Sequence, residues 1–288
     1  MNKPEYIKTQ IFLDSGDPAE TKILFEKLGF LDGQTTNPSL VAKNPEIQKL
    51  KNDGVLTNES IWVEYNKVAN DIKNIIPSGS ISVEVYSDDA TSFETMCEQG
   101  RILSKWFSGI YVKLPITHTG ISVAKVLVSE GINVNMTLCF SQDQAAAVHS
   151  ATKGAKKGQV YVSPFVGRLD DIGIYGLDLI GNILKMYKEW GSHVSVLGAS
   201  IRSIDHVNYC LKNEAEIITA PLALWIKWEE EGRLLKLPSD LIISVTDKKQ
   251  IDYLELEQKN WEEYNIKHDL TDKGLEKFAT DWKSLFSK

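Results

Sequence analysis

Ile110-Tyr111-Val112-Lys113-Leu114 opens the stretch of sequence that decides the fold. Apolar residues at the spacing of one helix face follow this short run, namely Val123, Val126 and Leu127. A second β-branched run then extends from Ile132 to Leu138. A strand, a helix and another strand in succession predict two parallel strands covered by the helix that connects them.

The same alternation of short strand-like runs and longer helical patterns continues over most of the chain. With the two runs above it gives eight candidate strands, the others being Ile11-Phe12-Leu13, Gly33-Gln34-Thr35-Thr36, Ile81 to Val85, Val160-Tyr161-Val162, Val194 to Leu197 and Ile217-Ile218-Thr219. Eight such units suit an α/β fold of the closed (β/α)8 TIM-barrel type, which usually takes ~250 residues. An open doubly wound sheet is the alternative, but no Gly-x-Gly-x-x-Gly follows the first strand to support it.

Two regions depart from a plain barrel. Residues 38–77 are too many for one helix, and Asn52-Asp53-Gly54 predicts a break between two helices. After the eighth strand we expect a helical extension over about 225–288, where Leu275, Phe278 and Trp282 belong to an apolar stripe at helical spacing. Such a stripe packs on the barrel or on a second copy of the chain, and the second case would make the protein a homo-oligomer. No linker rich in Gly, Ser or Pro appears, and we predict a single domain over 1–288.

Composition limits the classes of function. The chain has 288 residues, of which 42% are hydrophobic, and its formal net charge is −7. A net negative surface argues against broad binding to nucleic acid or to anionic membranes. Cys97, Cys139 and Cys210 are far apart and show neither zinc nor disulfide spacing. With no signal peptide or membrane span in the pattern, we expect a cytoplasmic protein that binds small molecules and no metal.

Polar side chains stand where one predicted strand after another ends. In a barrel these carboxyl-terminal strand ends meet at one mouth, where the active site forms. A single polar strand end means little, but the succession indicates a functional site. The residues are Asp14, Thr35, Asn37, Glu84, Lys113, Asn135, Thr137, Ser163, Ser200 and Arg202.

Lys113 is the most informative of these residues, because it lies within an apolar strand. Burial disfavours the charged form of its amine and favours the neutral nucleophile that Schiff-base chemistry on a ketone requires. Asp14 and Glu84 would then supply the proton transfers of imine formation and carbon–carbon cleavage. The structural alternatives are that Lys113 pairs with Glu84 or extends along its stem to solvent, and that both carboxylates are solvated at the rim.

Two arginines on neighbouring loops suggest a phosphate site. Arg168 and Arg202, with the Ser200 hydroxyl between them, could hold one phosphate by charge-assisted hydrogen bonds. The alternative is that each arginine pairs with a nearby acid, which would be Asp170 or Asp171 for Arg168 and Asp205 for Arg202.

With these residues in place, the chain resembles the transaldolases from the first strand to the last helix. The most specific matches are Thr35-Thr36-Asn37-Pro38-Ser39 and Ser163-Pro164-Phe165-Val166-Gly167-Arg168. Weaker matches accompany them in the family's order: Phe12 to Asp17, Val83-Glu84-Val85, Val112 to Pro115, Asn133 to Leu138, Gly198 to Arg202 and Gly274 to Ala279.

The resemblance implies a class I aldolase-type site without metal or organic cofactor. Lys113 would form the Schiff base with a ketose phosphate, Asp14 would take the hydroxyl proton on cleavage, and Glu84 with Thr137 would hold the water. It further implies that the three-carbon fragment binds Thr35, Asn37, Asn135 and Ser163, and that the phosphate binds Arg168, Ser200 and Arg202. The implied reaction of the non-oxidative pentose phosphate pathway moves a dihydroxyacetone unit from fructose 6-phosphate or sedoheptulose 7-phosphate to erythrose 4-phosphate or glyceraldehyde 3-phosphate.

Two other functions stay open. Fructose-6-phosphate aldolase, of the same superfamily, is similar but has glutamine in place of Glu84 and tyrosine in place of Phe165, and it releases free dihydroxyacetone. Both positions here carry the transaldolase residue. At Tyr86 the longer transaldolases tend to have aspartate, and in this respect the chain resembles the shorter transaldolases. The second alternative is a barrel that binds phosphosugars without turnover.

Overall fold

The computed structural model describes residues 3–286 as a closed barrel of eight parallel strands, each paired with its neighbours in the chain and β1 with β8. This confirms the predicted (β/α)8 fold. The strand interiors are fully buried and rich in Val, Ile and Leu, as parallel strands covered by helices require. The strands are β1 (Gln10–Asp14), β2 (Gly33–Thr35), β3 (Ser80–Glu84), β4 (Ile110–Pro115), β5 (Val134–Cys139), β6 (Val160–Pro164), β7 (Ser195–Gly198) and β8 (Ile217–Ala220).

Helices follow every strand and form the outer layer. Many begin at a side chain that accepts a hydrogen bond from the first turn, such as Asp17, Ser92 and Thr117, so the loop sequence fixes where each helix starts. The helices are α1 (Pro18–Leu28), α2 (Pro38–Ala42), α3 (Pro45–Asn52), α4 (Ser60–Ile75), α5 (Phe93–Leu103), α6 (His118–Ser129), α7 (Gln142–Ala151), α8 (Val166–Asp170), α9 (Gly176–Trp190), α10 (Ile204–Lys212), α11 (Leu222–Glu230) and α12 (Asp269–Lys283).

Residues 38–77 hold three helices where the sequence pattern predicted two. The expected break after Asn52 is present, between α3 and α4. A further break separates α2 from α3, because Pro45 cannot continue a helix and Asn44 caps the new one with its side chain. The additional turn places α2 beside the mouth of the barrel.

The C-terminal extension is less helical than expected. Trp225 lies in α11, which is the helix that follows β8 and so completes the barrel. Between Asp240 and Asn260 the described chain forms no helix and runs along the outside of the barrel. Its backbone carbonyls accept hydrogen bonds from Asn182 and Gln142 side chains on α9 and α7. Apart from three 3-10 turns at Arg233–Leu235, Pro238–Asp240 and Trp261–Glu263, the described part of the extension after α11 has one helix, α12. Within residues 3–286 no helix is long and apolar enough to span a bilayer.

Alternate residues of each strand point into the barrel and form stacked layers. At the amino-terminal end lies an aromatic layer in which the Tyr111 and Tyr161 rings stack at 4.0 Å and the Phe12 ring meets Tyr161 edge-on at 6.4 Å. Gly33 leaves room for the Phe12 ring, since a Cβ there would come within 2.5 Å of it. The residues two positions further along these strands form the next layer, which is polar.

Candidate active site

A cavity of about 280 Å³ opens at the carboxyl ends of the strands, where the sequence placed the site. Nine of the twelve predicted site residues line it, namely Asp14, Thr35, Asn37, Lys113, Ser163, Phe165, Arg168, Ser200 and Arg202. The other three, Glu84, Asn135 and Thr137, are buried in the wall behind them. The residues of the strand-end pattern, with Phe165 and Arg168 from the loop after β6, therefore converge on one pocket.

Lys113 lies in the middle of β4, and its side chain is 4% exposed. Its Nζ is 3.0 Å from Glu84 Oε2, which pairs with it on the neighbouring strand β3. The same amine donates a hydrogen bond of 3.2 Å to the carbonyl of Thr36. The pairing foreseen as the structural alternative is thus present, but the lysine reaches the cavity and not solvent at an edge.

Asp14 ends β1 and faces the same cavity. The Thr35 hydroxyl donates to Asp14 Oδ1 at 2.7 Å, so the hydroxyl of Thr219, 2.7 Å away, must donate to Thr35. Burial raises the pKa of Asp14 above its usual range, and this outweighs the opposing influence of the Lys113 charge and the Thr35 hydrogen bond. A carboxyl group with a raised pKa near a nucleophilic amine is suited to proton transfer at neutral pH.

Glu84 and Thr137 carry buried polar atoms whose hydrogen bonding is incomplete. Thr137 Oγ1 makes no hydrogen bond to any described residue, and the contact of Glu84 Oε2 is its ion pair with Lys113 Nζ at 3.0 Å. Burial raises the pKa of Glu84 despite the nearby Lys113 charge. These residues belong to β3 and β5, the two strands that flank the lysine strand. A water molecule or a substrate oxygen bound beside Thr137 Oγ1 would satisfy that hydroxyl.

Asn135 and Ser163 form a fixed pair on β5 and β6. The Ser163 hydroxyl donates to Asn135 Oδ1 at 2.6 Å, and Asn135 Nδ2 donates to the Ser82 hydroxyl at 3.0 Å. Because these bonds settle the orientation of the amide, Asn135 is held in one rotamer beside Lys113, its register partner on β4. Asn37 lies across the mouth and caps α2 by accepting the Leu40 N–H.

The two arginines differ in their surroundings. Among the described residues Arg168 makes no ion pair, and its guanidinium lies over the rings of Phe165 and Phe278, at 5.3 Å and 5.4 Å. Arg202 pairs with Asp171, and not with Asp205 as the alternative from the sequence proposed. The loop brings the two acids of 170–171 to opposite sides, and only Asp171 faces Arg202.

Several lining residues were missed by the sequence argument. Thr219, at the end of β8, continues the strand-end pattern and was detectable by the same criterion. Phe278 and Lys277 come from α12, and Lys43 follows α2; no local pattern indicates that these segments reach the barrel mouth. The Phe278 ring centroid lies 5.9 Å from Lys113 Nζ, so α12 covers one side of the cavity. The apolar stripe of α12 does pack on the barrel, as expected, through Trp282 against Tyr65.

None of the described side chains offers a metal centre: no three His, Cys, Asp or Glu residues within 3–286 converge as ligands. The chemically distinctive feature is the amine of Lys113 between two carboxyl groups with raised pKa values, Asp14 and Glu84. On a (β/α)8 barrel this arrangement is that of an aldolase-type enzyme.

Comparison with known proteins agrees with this class. Residues 11–288 match the family model described as Transaldolase/Fructose-6-phosphate aldolase. Proteins described as probable transaldolases are 33% identical in Brucella ovis, over 95% of this chain and 96% of that protein, and 34% identical in Dehalococcoides mccartyi, over 96% and 99%. A further one from Caulobacter sp. is 35% identical over 95% of this chain and 96% of its own. The chain belongs to the transaldolase/fructose-6-phosphate aldolase family.

Proposed function

We propose that the protein is a transaldolase that moves a dihydroxyacetone unit from a ketose phosphate to an aldose phosphate through a Schiff base on Lys113. The observation that carries this proposal is the position of the Lys113 amine, buried in the barrel 3.0 Å from Glu84 Oε2 and open to the cavity. The relatives described as probable transaldolases support it. The expected substrates are fructose 6-phosphate or sedoheptulose 7-phosphate, with erythrose 4-phosphate or glyceraldehyde 3-phosphate as acceptor.

Imine formation is the first step. The neutral amine of Lys113 attacks the C2 carbonyl of the ketose, and the resulting carbinolamine loses hydroxide as water after receiving a proton. Glu84 exchanges that proton with the carbinolamine, and Thr137 holds the leaving water, in keeping with its buried hydroxyl, which makes no hydrogen bond to any described residue. The raised pKa of Glu84 suits a group that must both donate and accept.

Carbon–carbon cleavage follows at Asp14. Its carboxylate takes the proton of the C4 hydroxyl, the C3–C4 bond breaks, and the bonding electrons pass into the protonated imine to form an enamine. The aldose phosphate leaves, the enamine stays attached to Lys113, and a second aldose phosphate is attacked in the reverse sequence. Asn135 and Ser163, which are locked to each other at 2.6 Å, would hold the hydroxyls of the three-carbon fragment.

The phosphate group would bind at Arg168, Ser200 and Arg202, which line one end of the cavity. Arg168 is the preformed part of this subsite, because aromatic rings and not an acid hold it in place. Arg202 would exchange Asp171 for the phosphate. We further propose a role in the non-oxidative pentose phosphate pathway of the cytoplasm, with no metal or organic cofactor, since the protonated imine is itself the electron sink.

The test is product analysis with fructose 6-phosphate, with and without erythrose 4-phosphate, together with borohydride trapping and mass spectrometry. We expect glyceraldehyde 3-phosphate to accumulate only when the acceptor is present. Borohydride should leave a reduced three-carbon adduct on Lys113. Lys113→Ala should abolish both signals while retaining the folded circular-dichroism spectrum.

Other outcomes point to the other functions considered. Free dihydroxyacetone without acceptor would identify a fructose-6-phosphate aldolase and would mean that Phe165 and Glu84 do not prevent release. Saturable binding of the sugar phosphate with neither product nor adduct would indicate a binding protein. Trapping on a residue other than Lys113 would overturn the assignment of the nucleophile.

A further inference from the structure

Asp170 and His206 form a buried pair behind the two arginines. His206 Nε2 lies 2.8 Å from Asp170 Oδ2, and the two side chains are 8% and 11% exposed. Asp170 ends α8, the short helix that carries Arg168, and His206 lies in the first turn of α10. Both stand outside the residues that line the cavity, so contact with substrate does not explain them.

The other nitrogen of His206 holds the backbone of Arg202. The Arg202 N–H donates to His206 Nδ1 at 3.3 Å. Because Nδ1 accepts, the imidazole must be neutral with its proton on Nε2, and Asp170 is the acceptor for that proton. The pair therefore works in one tautomer only: the carboxylate fixes the proton on Nε2 and leaves the Nδ1 lone pair for Arg202.

Asp170 is itself held from two further sides. Its Oδ1 accepts the N–H of Gly176 at 3.0 Å, and Lys248 Nζ lies 2.9 Å from Oδ2. Lys248 belongs to the chain that runs along the outside of the barrel, which is joined to the α8–α9 loop through the neighbouring Lys249. The carboxylate is thus anchored in position before it orients the imidazole.

The loop that carries Arg202 also lies tightly against α8. Ser200 has a left-handed backbone with φ of 55°, and its carbonyl accepts the Gly167 N–H at 3.0 Å. A Cβ on Gly167 would come within 2.5 Å of the Ser200 carbonyl oxygen and 2.6 Å of Arg202 Nε. The side chain of Arg202 is 47% exposed and pairs with the exposed Asp171, so the buried contacts hold its backbone and the start of its side chain, whereas its guanidinium lies where a phosphate could replace Asp171.

We propose that Asp170 and His206 are positioning residues that hold Arg202 for the phosphate group of a sugar phosphate. The inference rests on the proposed function, since it takes Arg168 and Arg202 as the phosphate subsite. It assigns the pair no part in the covalent chemistry at Lys113. Its consequence is that the pair sets the affinity for phosphorylated substrates and leaves the rate of the bound complex unchanged.

The charged groups around the pair set its pH response. Burial lowers the pKa of His206, Lys248 lowers it further, and Asp170 with Asp205 opposes them without restoring the usual value. His206 is therefore neutral at pH 7. In acid, its protonated Nδ1–H would face the Arg202 N–H, and the affinity for phosphate should fall.

Three substitutions separate the two contacts. His206→Gln places an amide near Nε2, which keeps the contact with Asp170 but removes the acceptor for Arg202. His206→Asn places an oxygen near Nδ1 and keeps that acceptor. Asp170→Asn offers an amide donor to Nε2, so the imidazole proton moves to Nδ1. Two N–H donors, from Nδ1 and from the Arg202 backbone, then face each other and no hydrogen bond forms.

The measurements are KM and kcat for fructose 6-phosphate and the inhibition constant of inorganic phosphate. We expect His206→Gln and Asp170→Asn to raise KM and the inhibition constant about fivefold to tenfold, the effect of one hydrogen bond, with kcat within about twofold of wild type. His206→Asn should stay close to wild type at pH 7. In acid, KM should rise for both proteins because the substrate phosphate takes up a proton. Wild type should show a further rise in KM from protonation of His206, and His206→Asn should not.

His149→Gln is the matched control. His149 is another buried histidine, near the end of α7, and it is hydrogen-bonded to Ser192 just before β7 begins. It therefore lies towards the amino ends of the strands, away from the cavity at their carboxyl ends, and its loss should change stability but not KM. Unchanged KM and inhibition constants in both folded variants, His206→Gln and Asp170→Asn, would overturn the proposal. So would a fall in kcat at constant KM.

The failure of the proposed function has a different signature. If Arg168→Ala and Arg202→Ala leave the inhibition constant of phosphate unchanged, the phosphate subsite itself is wrong. If both raise it while the folded His206 and Asp170 variants do not, the subsite stands and only the positioning role fails. If His206→Gln does not fold, Asp170→Asn gives the same answer, because the imidazole volume is kept.

Discussion

The two layers of side chains inside the barrel differ in chemistry, although the same strands supply both. Phe12, Tyr111 and Tyr161 form an aromatic floor, and the residues two positions later on these strands are Asp14, Lys113 and Ser163. The three aromatic residues are all buried. The polar layer above them lines or backs the cavity, and burial is the largest cause of the raised pKa of both Asp14 and Glu84.

This difference separates stability from activity within one strand. Tyr111 and Lys113 share β4 and face the same way, yet one contributes packing and the other the amine that we propose forms the Schiff base. Active sites commonly hold groups that are unfavourable for folding, and the surrounding structure compensates. Substitutions in the polar layer should therefore lower activity strongly, whereas substitutions in the aromatic layer should lower stability and leave activity nearly unchanged.

Lys113→Met should have the largest effect. Activity should fall to the background of the assay, because methionine fills the space but carries no nucleophile. It also leaves the Glu84 carboxylate buried without its partner, and we expect the free energy of unfolding to fall by about 3 kcal/mol. Adding Glu84→Gln should restore much of the stability in urea titrations and none of the activity. Residual imine chemistry in Lys113→Met would contradict the assignment of this layer.

Asp14→Asn should come next. We expect kcat to fall about 100-fold to 1,000-fold, the usual contribution of a general base. The amide keeps the acceptor for the Thr35 hydroxyl and removes a carboxylate whose burial is unfavourable, so the free energy of unfolding at pH 7 should rise. A folded carboxyl with a raised pKa is destabilising above its unfolded pKa, so this gain should shrink as the pH falls toward 4. Equal kcat values in wild type and variant would remove Asp14 from the mechanism.

The pH dependence of kcat should sharpen the same point. Because the pKa of Asp14 is raised, its basic form is lost on acidification at a higher pH than for an exposed aspartate. Below that pKa we expect kcat to fall about tenfold per pH unit. Glu84→Gln separates the two carboxyls, since an acid limb that persists in the variant belongs to Asp14. If kcat instead falls only around the ordinary aspartate pKa, burial does not control the titration of Asp14.

Tyr111→Phe should have the smallest effect on activity. The Tyr111 hydroxyl donates to the carbonyl of Gly158 at 2.6 Å, far from the cavity, and its loss should lower the free energy of unfolding by about 1 kcal/mol. We expect kcat to stay within twofold. A tenfold loss of kcat in a folded protein would mean that the floor contributes to the chemistry and not only to the packing.

The extent of prediction from sequence follows from the same geometry. Strand ends in a parallel barrel converge whatever the loops do, so Asp14, Glu84 and Lys113 could be placed together before the fold was known. The order of strands needed only the alternation of the two patterns. Thr219 was missed although it obeys the same rule, because no neighbouring motif drew attention to it.

Contacts between loops were not predictable in this way. Arg202 had an acid three positions away, Asp205, but it pairs with Asp171 on another loop. The Asp170–His206 pair likewise depends on how α8 and α10 approach each other. The position of α12 is a further example, since an apolar stripe indicates that a helix packs without indicating where. The periodicity of apolar residues predicts helices and strands, but it does not indicate which loops lie close together in the folded chain.

The placement of Phe278 has a consequence for biosynthesis. Every strand of the barrel has been made once Ala220 is added, whereas the ring that covers Lys113 belongs to the last helix. A chain whose α12 has not yet been made lacks the ring that lies 5.9 Å from the Lys113 amine. The wall of the cavity on this side is therefore completed only when the residues of α12 have been translated.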